Sequence, residues 1–184
     1  GPALGNGWVE KTDHYSVAGN KVRQIGNGSY VDFIVRRPTT EASLNVEVSA
    51  DFTYGANANT DPTLYARLQP ESDQPNKVRG YTFYAYRDEA RLIREDGDVA
   101  TVLSQSGIAP ELNAGETYTF TLRVRNASPV QLEGAITKLD GTLVKALATT
   151  DGAPGRIQTA GPVGFGAGEG DGTTWYNFKR IDLP

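Results

Sequence analysis

Two stretches of this chain alternate so regularly that they read as one kind of backbone, the β-strand. Ser43 to Phe52 sets Leu44, Val46, Val48, Ala50 and Phe52 against Asn45, Glu47, Ser49 and Asp51. Thr117 to Arg125 does the same, with Tyr118, Phe120, Leu122 and Val124 as the apolar set. Successive side chains on a strand point to opposite faces, so a period of two gives each stretch one dry and one wet face. The chain also ends on such a pattern. After the glycine-rich run Gly164 to Gly172, Tyr176, Phe178 and Ile181 alternate with polar residues and read as the half-buried side of a closing strand. A strand made last must pair with strands made much earlier. The fold is therefore a long-range β architecture, and function belongs to a face or rim of a sheet.

Further strands are expected at Tyr15–Val17, Lys21–Gln24, Tyr30–Arg36, Thr63–Leu68, Gly80–Tyr86, Ala90–Arg94, Val99–Leu103, Val130–Ile136 and Val163–Phe165. Gly, Asn and Pro punctuate them roughly every ten residues, the spacing of a sandwich. Asn126-Ala127-Ser128-Pro129 reads as a hairpin connection and Asp140-Gly141 as a turn. Only Ile108 to Gly115 suggests a helical turn. The loops 55–62 and 70–76 flank the strand Thr63–Leu68 and are expected along one edge. The 184 residues suit one all-β domain with a core of its own. Gly1-Pro2 looks like a protease-cleavage scar, so residues 1–3 read as scar or linker and 4–184 as the domain. Neighbouring domains of a longer polypeptide are expected to be covalently linked to it.

Composition removes several classes of function. A net charge of −4 leaves no basic surplus to neutralise a phosphate backbone, so nucleic acid is not an expected partner. No apolar run approaches the ~18 residues of a membrane helix, so membrane insertion is not expected either. With no Cys, disulfides, thiol catalysis and thiolate metal sites are excluded. His14 is the single histidine, and no Gly-x-Ser-x-Gly elbow accompanies it. Glu47 and Asp51 share a strand face, but four residues put them about 13 Å apart, too far for a glycosidase pair. A pair built across strands, for example with Glu133, stays open. Glu95-Asp96-Gly97-Asp98 reads as a polar hairpin tip, short of the six to eight oxygens calcium takes. Gly164-Phe165-Gly166-Ala167-Gly168 is followed by no helix and cradles no phosphate. Asn27-Gly28-Ser29 and Asn126-Ala127-Ser128 match glycosylation sequons.

The order of motifs carries a resemblance. Leu4-Gly5-Asn6-Gly7-Trp8 opens the chain and a hairpin follows through Ala18-Gly19-Asn20. The strand ending in Phe52 precedes Leu64-Tyr65-Ala66-Arg67-Leu68, Gly80-Tyr81-Thr82-Phe83-Tyr84-Ala85-Tyr86 and Ala90-Arg91-Leu92. Gly161-Pro162-Val163-Gly164-Phe165 and Tyr176-Asn177-Phe178 close it. Over nearly its whole length the chain resembles the concanavalin A-like lectin/glucanase superfamily, in the laminin-G-like form of bacterial secreted proteins. The resemblance implies an all-β, two-sheet antiparallel jelly-roll sandwich. It implies glycan binding on a sheet face or rim, and secretion or a cell-surface location. Many relatives carry Asp where Tyr176 stands, in a region that helps several of them hold a structural calcium, so a calcium here stays open and no other cofactor is implied. The Glu-x-Asp-x-x-Glu string of laminarinase-type relatives is absent.

Strand parity then nominates side chains. Leu64, Ala66 and Leu68 face the core, leaving Tyr65 and Arg67 opposite; Tyr81, Phe83 and Ala85 face the core, leaving Thr82, Tyr84 and Tyr86 opposite. Pairing of the two strands would gather Tyr65, Arg67, Tyr84 and Tyr86 on one surface. Flat aromatics suit the C–H faces of sugars, and a guanidinium donates several bonds in one plane to hydroxyls, carboxylates or sulfates. Trp175, at the lip of the last strand, joins this set at the rim if that strand turns it outward and belongs to the core if not, parity leaving both open; Trp8 reads as a core plug. The expected function is a non-catalytic, lectin-like carbohydrate-binding module with no metal among its site residues, its partner a polysaccharide. The alternatives are an architectural or adhesive domain, a glycoside hydrolase, or a lyase that would draw on Tyr84 and Arg67.

Overall fold

The two alternating stretches lie side by side. Strand β5 (Val46–Thr53) pairs antiparallel with β10 (Thr117–Arg125), Val48 opposite Leu122 and Ala50 opposite Phe120. Both stretches bury every second residue. The structure, a computed structural model, describes residues 8–10, 15–18, 21–24, 32–36, 42–55, 60–69, 77–168 and 173–184. His14, the sequon at Asn27, the loop residues 56–59 and 70–76, and residues 169–172 lie outside them.

Two seven-stranded antiparallel sheets form the molecule. The back sheet runs β12 (Leu143–Asp151), β11 (Val130–Lys138), β10, β5, β14 (Thr174–Asp182), β3 (Lys21–Gln24), β2 (Tyr15–Ala18). The front sheet runs β1 (Trp8–Glu10), β4 (Asp32–Arg36), β13 (Val163–Ala167), β6 (Pro62–Ala66), β7 (Val78–Ala85), β8 (Glu89–Gly97), β9 (Val99–Gly107). This is the expected all-β sandwich, with β1 and β12 added to the strands read from sequence. No helix occurs among the described residues, so Ile108 to Gly115 is irregular chain rather than a helical turn.

The dry faces meet between the sheets. Phe83 of β7 meets Phe120 of β10 with ring centroids 6.0 Å apart. Phe165 of β13 meets Trp175 of β14 at 5.3 Å. Gly134 is the space into which Phe83 fits: a Cβ there would lie 2.5 Å from that ring. A buried Phe contributes roughly 1.5–3 kcal/mol, so interlocked rings of this kind fix which face of each sheet is inward.

The closing strand departs from its expected alternation. Trp175 pairs with Phe52 and so faces the core, while Tyr176 pairs with Asp51 and faces outward. The register then shifts between Tyr176 and Lys179, with Asn177 at a φ of 53°. That bulge spends one residue and returns Phe178 to the core side, where its ring meets Phe165 at 5.6 Å. Ile181 is half exposed. The glycine-rich run before it is not all turn: Val163–Ala167 is a fully buried strand of the front sheet.

Candidate functional site

The outward face of the front sheet carries the site. Thr63 of β6 lies opposite Tyr84 of β7, and Tyr84 opposite Arg91 of β8. The next row is Tyr65, Thr82 and Ile93, and the row beyond places Glu95 opposite Gly80 on one side and Ala100 of β9 on the other. On the far flank, the residues of β13 opposite Tyr65 and Thr63 are Gly164 and Gly166, which place no side chain beside them. These rows, with Tyr86 just past the end of β7, line a cleft of about 420 Å³.

One end of the cleft is aromatic and cationic. The rings of Tyr84 and Tyr86 stand edge to face, 5.5 Å apart at 84°. The Arg91 guanidinium carbon lies 5.8 Å from the Tyr84 ring centre and 5.7 Å from that of Tyr86. Its Nη1 donates to the Tyr84 hydroxyl at 3.0 Å and its Nε to Glu89 at 2.9 Å. The bonds to Glu89 hold the guanidinium pKa above its ordinary value, and burial raises that of the Tyr84 phenol. Both groups thus keep their protons at neutral pH and present donors beside exposed ring surface.

The other end is polar with little internal pairing. Thr82 is 2% exposed, and among the described residues its hydroxyl has no hydrogen-bond partner. Glu95 makes no hydrogen bond or ion pair there either, and burial pushes its carboxyl up to about 7. Across the strands it faces only Gly80 and Ala100, so it has no carboxyl partner in either direction. Asp96 and Asp98 at the hairpin tip lie 3.2 Å from Arg79 and 3.5 Å from Lys77. Among the described residues no group of three or more His, Asp or Glu gathers to hold a metal ion.

Of the side chains nominated from sequence, Tyr65, Tyr84 and Tyr86 come together here. Arg67 and Trp175 do not, and both assignments are corrected. Strand β6 ends at Ala66, and Arg67 adopts a φ of 52°, which breaks the alternation and swings the side chain inward. It is fully buried, with Nε donating to the Leu44 carbonyl at 2.7 Å, Nη1 to Ile157 at 2.9 Å and Nη2 to Asn126. Burial lowers its pKa to about 10, still charged at neutral pH. It ties three chain segments together and is closed to any ligand. Trp175 is 1% exposed and packs on Phe52 at 4.6 Å. Its indole N–H has no partner among the described residues, a loss of about 1–3 kcal/mol. Burying some 200 Å² of ring at ~25 cal/mol per Å² returns about 5 kcal/mol, so the core wins over the rim.

Arg91, Thr82 and Glu95 were not nominated from sequence. A signal for the first was present. Parity about Leu92 turns Arg91 outward, and the four residues that join Ala85 to its partner Ala90 set it opposite Tyr84, a register that the expected strand bounds miss by one. The carboxylates weighed for catalysis lie on the other sheet. Arg123 takes Glu133 at 2.6 Å on one side and Glu47 on the other, so both acids are bound to one guanidinium.

Solved structures share this architecture. The carbohydrate-binding module CBM66 of Bacillus subtilis superposes with a TM-score of 0.69 and 14% identity, covering 96% of each chain. The exoplasmic/lumenal domain of VIP36, in a Ca2+/Man3GlcNAc-bound form, gives 0.67 at 12% identity, covering 97% of this chain and 84% of that one. A β-glucanase of Bacillus licheniformis gives 0.64 at 10% identity, covering 100% and 95%. The fold is the concanavalin A-like jelly roll. Identities this low establish the fold alone. No protein-family profile matches the sequence of this jelly roll, and no curated protein matches it. No helix among its described residues is long and apolar enough to cross a membrane.

Proposed function

We propose that this jelly roll is a non-catalytic carbohydrate-binding module whose front cleft holds a glycan. The observation that carries the reading is the end formed by Tyr84, Tyr86 and Arg91. Two half-buried rings and a guanidinium converge there, and the Thr82 hydroxyl lies one row along. Sugars present C–H faces to rings and hydroxyls to fixed donors and acceptors, and this surface offers both. The similar folds include a carbohydrate-binding module and a sugar-bound lumenal domain, which supports the same class of ligand. Tyr65 lies beneath those two rings in the cleft floor, buried in a cluster with Leu68 and Val78, and supports the platform rather than presenting a ring to the ligand. Such a module works outside the cytoplasm, in a secreted or surface protein beside other domains, and holds its ligand without calcium.

The test is retention on a glycan array and in polysaccharide-containing native gels, with and without EDTA. Tyr84→Ala with Tyr86→Ala should weaken retention at least tenfold while moving the melting temperature little. A doubly substituted protein that binds like the parent, or a parent that retains no glycan, would overturn the proposal.

A second reading, hydrolysis, draws on Glu95. A carboxyl kept protonated to about pH 7 has the character of a general acid. Asp61 and Asp98 line the same cleft, Asp98 beside Lys77, so this reading predicts polysaccharide turnover that Glu95→Gln abolishes, whereas the binding reading predicts none.

A further inference from the structure

The two ends of the cleft differ in what they have left to give. At the aromatic end the charged groups already satisfy each other: Glu89 takes Nε and Nη2 of Arg91, and Nη1 is on the Tyr84 hydroxyl. The guanidinium therefore has its counter-ion within the protein. At the other end two polar groups face the cleft with nothing to bond among the described residues. One is the carboxyl of Glu95; the other is the Thr82 hydroxyl, which is almost wholly buried. They are diagonal neighbours on one face, since Thr82 pairs with Ile93 and Glu95 lies two residues on. Gly80, opposite Glu95, offers it no side chain to bond, and the space above that glycine is taken by the apolar Leu68. Buried polar groups in folded proteins are nearly always bonded, and an orphan aimed into a cleft marks a place where a ligand completes the set.

The charge of the lining points the same way. Asp61, Glu95 and Asp98 line the cleft with Arg91 as the single cation among its described lining residues. Asp61 lies by Thr63 in the Tyr84 row, Asp98 has Lys77 at 3.5 Å and Arg91 has Glu89, so at this end Glu95 is the charge that an entering ligand meets. A carboxylate only accepts hydrogen bonds, so it suits an O–H or an ammonium and repels a second anion.

Resting on the binding function proposed above, we infer that Glu95 and Thr82 form the specificity subsite of the cleft. It takes the hydroxyls of a neutral glycan or the ammonium of an amino sugar, and turns away uronates and sulfated sugars. Of the groups that an arginine on this surface could meet, hydroxyls rather than carboxylates or sulfates then fit the cleft. In its ionised form, the one that prevails at pH 8, Glu95 selects by sign of charge, and Thr82 supplies one bond to the accepted sugar.

The experiment is an array at pH 8 carrying neutral oligosaccharides, each beside its uronate, its O-sulfated and its amine-bearing counterpart. The parent should retain the neutral and amine-bearing forms at least tenfold more strongly than the matched anionic forms. Glu95→Gln, which keeps the shape and removes the charge, should narrow that ratio at least threefold. Thr82→Val, which removes the unpaired hydroxyl at constant shape, should weaken neutral glycans severalfold without lowering the melting temperature. A parent that prefers the anionic member of a pair overturns the inference, as does a ratio that Glu95→Gln leaves unmoved. Should binding depend on Tyr84 and Tyr86 while the ratio ignores Glu95, the selectivity alone falls. If no glycan is retained, both readings fall.

Discussion

The outward faces of the two sheets are built from similar residues and end in opposite states. On the back sheet the polar groups close on each other. The Tyr176 hydroxyl donates to Thr117 at 2.7 Å and shares a bond with Thr53 at 2.9 Å. Asp51 accepts from Thr119 at 2.6 Å and from Asn177 at 2.7 Å, and Arg123 lies between Glu47 and Glu133. On the front sheet Arg91 is satisfied, but Thr82 and Glu95 are not, and a cleft replaces the flat ladder. A tyrosine, an arginine and a glutamate thus do not make a site by being outward. What separates the faces is whether the neighbouring strands supply partners or leave glycines and alanines in their place.

Several substitutions can break or sharpen that contrast. The largest effect belongs to the buried arginine that resembles a site residue and is none. Arg67→Ala orphans three carbonyls and should cost about 3 kcal/mol or more in urea unfolding, whereas Arg91→Ala should cost under about 1 kcal/mol. Comparable losses for the two would erase the distinction between clamp and cleft. Next comes the contrast in ligand retention. Arg123→Ala on the back sheet should leave retention as it is, against the tenfold loss of the front-sheet tyrosine pair; equal losses would move the site.

A smaller effect should appear in the pH dependence of stability. The folded Glu95 carboxyl holds its proton to about pH 7, above the ordinary value of 4.5 to which unfolding returns it. Between those two values the folded state carries the extra proton, so stability drains away as pH rises through the window. Glu95→Gln should therefore melt like the parent at pH 4 and about 2 °C or more higher at pH 8. Identical melting at both pH values would show a carboxyl that is not strained. The smallest effect is Tyr176→Phe, which opens one partly exposed hydroxyl triangle and should cost about 0.5–1.5 kcal/mol without touching retention.

Much of the site could be read before folding because it depends on local parity. Tyr84 and Thr82 share a face whatever the strand pairs with, and Tyr65 follows from Leu64 and Ala66 by the same rule. The reading failed where parity is broken or where partners are remote. Arg67 lies one residue past the strand with a left-handed backbone, and three distant carbonyls capture it. Trp175 faces inward and Tyr176 outward because the bulge that follows admits both Trp175 and Phe178 to the core. Nothing within a few residues of either position announces such an event.

The sequence by itself determined the class of fold, since alternation and turn residues act over neighbours and need no partner to take effect. It also determined which face of β7 turns away from the core between the sheets. Only the tertiary structure decided which arginine would be buried and which would border the rings. It alone decided that Glu95 would face Gly80 and Ala100 rather than a counter-ion. Burial and pairing are properties of what comes to lie across the strand, and that neighbour is chosen by packing far along the chain.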